Sequence, residues 1–111
     1  MVELIIKNIN EVEEPFHKEL ERVAHEKTKF FRELFKKYDK DMVLEVIFDH
    51  SSALYKVTAS LNMKSKKVLV VEEEKDVVKA LNNVLNALKK AVKRQYELER
   101  KDYEYKRKNR K

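Results

Sequence analysis

The stretch MVLEVIFDHSSALYKVTASL, Met42 to Leu61, decides the fold. Within it Met42, Leu44, Val46 and Phe48 occupy every second position. After Asp49–His50–Ser51–Ser52 the alternation resumes with Tyr55, Val57, Ala59 and Leu61. A period of two puts such side chains on one face of a pleated strand, a geometry that β-branched and aromatic residues favour. Two antiparallel strands joined by a polar turn are therefore expected. The other face of the second strand carries Lys56, Thr58, Ser60 and Asn62. It is expected to be wet, as in a sheet covered on one side only.

Working outward, Asn62–Met63–Lys64–Ser65–Lys66 reads as a turn and Lys67 to Val71 as a further strand, with Glu72–Glu73–Glu74–Lys75 ending the sheet. Upstream, Val2, Leu4 and Ile6 alternate with Glu3, Ile5 and Lys7, which predicts a first strand. Between these strands the period changes. Phe16, Leu20, Val23, Phe30, Leu34 and Tyr38 recur at helical spacing, with Phe31 and Phe35 widening the stripe. Glu13–Glu14–Pro15 suits a helix start, where acids meet orphan N–H groups and proline has no bond to lose. The first helix is expected from about Pro15 to Tyr38, closed by Asp39–Lys40–Asp41. Asp76 is a good N-cap for a second helix buried through Val77, Leu81, Val84, Leu85, Leu88, Ala91 and Val92, fading at Tyr96. The expected fold is α+β in the order βαβββα, a four-stranded sheet with two helices packed on one face. It spans residues 1–101, and residues 102–111 read as a basic tail that frays or orders only on binding.

Composition narrows the function. The chain has 111 residues and no cysteine, so disulfides and cysteine-based zinc sites are excluded and a reducing cytoplasm is the natural location. No glycine is present. Phosphate-cradling loops need glycine for close backbone approach, so ATP-driven and nicotinamide chemistry are not expected, and no cofactor is. The longest apolar run, Val68 to Val71, is far short of a membrane span, and the N-terminus lacks the pattern of a signal peptide. His17 and His25 lie eight positions apart on one helix, about 12 Å by helical rise, too far to share a metal ion. His50 near Ser51–Ser52 has no third group to orient it. Neither an enzyme nor a small-molecule site is indicated.

Charge is the informative feature. The net value is +6, yet residues 89–111 hold 11 Lys and Arg against 4 Asp and Glu, and residues 1–88 hold the remaining 15 against 16. A neutral body with a cationic end suggests a polyanionic partner, with a solubilising tail as the plain alternative. Lys18, Arg22, His25, Lys29, Arg32 and Lys36 follow spacings of four and three, opposite the apolar stripe of the first helix, with Glu19, Glu26 and Glu33 on a flank. The second helix carries Lys79, Asn82, Asn83, Asn86, Lys89, Lys90, Lys93, Arg94, Arg100 and Lys101 outward. Cations reach phosphates, and the asparagine amides can bond phosphate or sugar oxygens and 2′-hydroxyls. The twelve lysines and arginines of these two stripes are the candidate RNA-binding residues, expected to form one positive surface. Tyr96, Tyr103 and Tyr105 are placed where they could stack on bases.

The βαβββα order, the start Val2–Glu3–Leu4–Ile5–Ile6–Lys7–Asn8–Ile9–Asn10–Glu11–Val12 and the segment Glu74–Lys75–Asp76–Val77–Val78–Lys79–Ala80–Leu81–Asn82 resemble the ribosome hibernation promoting factor family, also called ribosome-associated inhibitors. Asp76, Ala80, Leu81, Leu88, Lys90 and Arg94 match the family's pattern, and the resemblance covers residues 2–101. Asn62 to Lys66 replaces a Gly-Gly-type turn, Glu13 a capping Thr, Asn82 an Asp and Ala87 a basic residue. The resemblance implies a stress factor with the small ribosomal subunit and ribosomal RNA as partners. It would occupy the decoding channel and block messenger and transfer RNA. It also implies a short form, without the C-terminal domain that pairs ribosomes. A general structured-RNA or double-stranded-RNA module, and a protein-interaction domain whose cationic tail meets an acidic protein or anionic membrane, are the alternatives.

Overall fold

The computed structural model describes the backbone of residues 1–108 and the side chains of residues 1–101. The alternating stretches form the expected strands: β1 (Val2–Lys7), β2 (Met42–Ser51), β3 (Leu54–Asn62) and β4 (Lys67–Glu74), with α1 (His17–Leu34) and α2 (Val77–Lys108). Strand order follows chain order. β1 runs parallel to β2, so α1 serves as the crossover that a parallel pair requires, and the other two pairings are antiparallel. Both helices lie on one face, α1 over β1 and α2 over β3 and β4.

Between them lies one core. Met42, Leu44, Val46 and Phe48 of β2, and Val57, Ala59 and Leu61 of β3, are buried against Leu20 and Phe31 of α1 and Leu81, Leu85, Leu88 and Val92 of α2. Asp76 caps α2 as expected, its Oδ1 accepting from the backbone N–H of Val78 at 2.9 Å and of Lys79 at 3.3 Å. In the absence of glycine, left-handed backbone falls to Asn8 (φ 60°) and to Ser52 (φ 56°) in the β2–β3 turn.

Four local expectations are corrected. The glutamates after Val71 do not end the sheet. Glu72, Glu73 and Glu74 continue β4 opposite Val57, Lys56 and Tyr55, because pairing with a neighbouring strand outweighs the low strand preference of Glu. Helix α1 stops at Leu34, and Pro15 sits in a separate short 3₁₀ turn, Glu14–Phe16. Phe35 and Tyr38 stay packed although they lie beyond the helix, since Phe35 stacks on Tyr96 (5.0–5.2 Å separate the ring centres of Phe35, Tyr38 and Tyr96). Finally, Ser60 on the open sheet face is buried, for this short side chain stands between Glu45 and Leu69, whose longer chains overhang it.

Candidate nucleic-acid interface

Position on α2 sorts its cations. The face toward the sheet is apolar, so Lys79, Lys90, Lys93, Arg94, Arg100 and Lys101 are all exposed, and Lys89 is half-buried. Lys79 to Lys101 is about 33 Å along the axis at the helical rise. Among the described residues none of these seven forms an ion pair with a carboxylate. Lys89 and Lys93 lean toward α1, their Nζ atoms 4.1 and 5.2 Å from the centre of the Phe30 ring. The ring's negative face holds each ammonium without neutralising it. Arg100 lies 5.9 Å from the Tyr96 ring centre.

The α1 stripe is less uniform. Lys18 and Lys29, and Lys36 two residues beyond the helix end, are exposed and, among the described residues, lack carboxylate partners. Arg22 is different. Its Nη1 donates to Glu26 at 2.8 Å and its Nη2 to Glu19 at 2.5 Å. These bonds raise the guanidinium's affinity for its proton and hold the Glu19 carboxyl below its usual range. Arg32 also turns aside, its Nε donating 2.9 Å to the carbonyl of Val2 on β1.

The expected single plate is therefore interrupted. Lys27, Phe30 and Leu34 form the side of α1 that meets α2, as the 3.4 Å bond from Lys27 Nζ to Asn86 Oδ1 shows. By helical periodicity Glu19, Glu26 and Glu33 lie between that side and the outer lysines. Two basic surfaces result: a long one on α2, extended across the helix seam by Lys27, and a shorter one on α1 beyond an acidic row. Lys27 was not among the candidates. Its place three and four residues after the buried Ala24 and Val23 is the signal that puts it at the seam.

Other expected ligands are engaged by the protein itself. Asn82 Nδ2 donates to Val78 O at 3.1 Å and Asn83 Nδ2 to Glu74 Oε1 at 3.3 Å. Tyr96 belongs to the aromatic cluster with Phe35 and Tyr38 and is not a free base-stacking ring, while Tyr103 and Tyr105 lie outside the described side chains. Beside that cluster, Tyr38 Oη donates to Glu99 Oε1 at 2.5 Å and accepts from Lys64 N–H at 2.8 Å. Glu99 Oε2 receives the Ser65 hydroxyl at 2.6 Å. Burial first, and then the Glu99 carboxylate, push the Tyr38 phenol up to about 12. This network ties the β3–β4 turn to α2 at the level where the helix leaves the body.

No protein-family model and no curated protein matches the sequence. Solved structures do. The Thermus thermophilus Protein Y N-terminal domain aligns with a TM-score of 0.57 at 18% identity, over 84% of this chain and 96% of that one. A ribosomal subunit interface protein from Coxiella burnetii aligns with a TM-score of 0.59 at 10% identity, over 86% of this chain and 97% of that one. At these identities the likeness is one of fold. The chain thus has the architecture of two proteins, one of them named for the ribosomal subunit interface, nearly end to end.

Proposed function

We propose that the chain is a member of the ribosome hibernation promoting factor family and acts in the cytoplasm on the small ribosomal subunit. There it would occupy the messenger and transfer-RNA path of the decoding channel and hold translation idle. The action is steric, with no bond made or broken. One observation carries this reading: seven cations along about 33 Å of α2 without a carboxylate partner among the described residues, on a fold shared with a ribosomal subunit interface protein. A run of that length matches several successive phosphates of folded RNA, whose contacts are long-range and independent of base identity. Lys18 and Lys29 of α1, with Lys36 just beyond its end, supply a second contact, and Lys27 with Asn86 bridges the seam.

Co-sedimentation of the full chain with small subunits in sucrose gradients at 50 and 200 mM salt tests the proposal. With six phosphate contacts, affinity falls about 10³-fold between those salts. Retention on subunits that excludes messenger and transfer RNA supports the channel-blocking reading. Equal binding to naked duplex RNA would replace it with a general RNA-binding module, and binding to neither would replace it with a protein-interaction domain.

A further inference from the structure

The sheet ends differently on its two sides. At the β1 edge, Arg32 from α1 covers the carbonyl of Val2. At the β4 edge, no hydrogen bond among the described residues reaches the outer backbone of the strand. An outer strand of eight residues with unpaired N–H and C=O groups is a template for another strand unless charge, proline or a bulge blunts it. β4 has no proline, and its charges lie only at the ends: Lys66 and Lys67 precede the apolar run Val68–Val71, and Glu72, Glu73 and Glu74 follow it. In the middle, Leu69 and Val71 are 53% and 43% exposed on the open face.

That charge order is complementary to itself when reversed. We propose that β4 pairs antiparallel with β4 of a second copy, about a two-fold axis at Val70, joining two sheets into one. Opposed residues in a sheet must share a face, which limits the register to steps of two. Centred on Val70, Leu69 of one copy meets Val71 of the other, Lys67 meets Glu73, and Lys66 lies beside Glu74. A shift one way sets Leu69 against Glu73 and Lys67 against Lys75. A shift the other way sets Lys67 against Val71 and leaves Glu73 facing Ser65. On the open face, which carries Lys67, Leu69, Val71 and Glu73, only the central register places apolar on apolar and opposite charges together, although it sets Val68 beside Glu72 on the helix side. Cross-strand pairs of both favourable kinds stabilise a ladder.

The layer above is compatible. Because α2 lies over β3 and β4 and α1 lies over β1, the flank of α2 turned from α1 hangs above this edge. That flank carries the half-buried Ala87 and Ala91 and the 50% exposed Leu98, which leave room for a second α2 alongside, with the exposed Arg94 on the same flank by helical spacing. The pairing does not rest on the ribosome reading, and it leaves the outward cations of both copies on the same side.

Sedimentation equilibrium of the purified full chain, without ribosomes, tests it. The expected result is a monomer–dimer equilibrium. Lys67→Glu and Glu73→Lys, both at exposed positions, should each weaken the dimer about tenfold or more by setting like charges opposite one another. An equimolar mixture of the two variants restores two attractive pairs per dimer, so it should associate like the unaltered chain, with far-ultraviolet circular dichroism unchanged throughout. In a chain that has no cysteine, Val70→Cys should give a disulfide-linked dimer on oxidation. A chain monomeric at every concentration overturns the proposal, as does a mixture that associates no better than either variant alone.

Discussion

Replacing Lys90, Lys93 and Arg94 together with alanine is the sharpest test of which helix meets the RNA. The three sit within one turn and a little more of α2, all exposed and, among the described residues, without a carboxylate partner. Each phosphate contact adds about 0.9 to the slope of log affinity against log salt, so each is worth about eightfold at 0.1 M relative to 1 M salt. Losing three contacts therefore lowers affinity about 500-fold at 0.1 M and reduces the slope by about 2.7. Arg22→Gln is the internal control. Its guanidinium already serves Glu19 and Glu26, so its loss should alter the slope by about 0.3 or less. The assay is fluorescence anisotropy of labelled chain titrated with small subunits at several salt concentrations. The reasoning fails if the triple variant keeps the full slope, or if Arg22→Gln costs as much as one third of the triple change.

Converting both Glu19 and Glu26 to Gln should raise small-subunit affinity several-fold at low salt, because it frees Arg22 and thins the acidic row; an unchanged or weaker titration would count against that row as a barrier. Ser52→Gly should stabilise the fold by about 1 kcal/mol in urea unfolding, since glycine takes the left-handed φ of 56° without a Cβ clash. Leu88→Ala should cost about 2–5 kcal/mol, as the side chain is fully buried between α2 and the sheet, with an unchanged denaturant slope. The Tyr38 phenol has a folded pKa near 12, above the ordinary value near 10, so its contribution to stability is fully present below about pH 10 and is lost as pH rises through about 12. Tyr38→Phe should remove that loss, so the difference in stability between the two chains should shrink across this interval.

Local pattern carried much of this molecule. The alternation through Met42–Leu61, the helical stripes and the Asp76 cap were legible because each depends on residues a few positions apart, where backbone geometry alone sets the facing. Only the tertiary structure decided the rest, which depends on neighbours distant in sequence. Glu72–Glu74 are strand because β3 offers them partners. Tyr96 is half-buried against the core because Phe35 and Tyr38 reach it from beyond α1. The cations Lys89, Lys93 and Lys27 converge because two helices meet at Phe30 and Asn86. Spacing shows which side of a helix a cation occupies, but whether that charge faces solvent or is held by its own protein, as Arg22 and Arg32 are, is settled by geometry that only the assembled chain possesses.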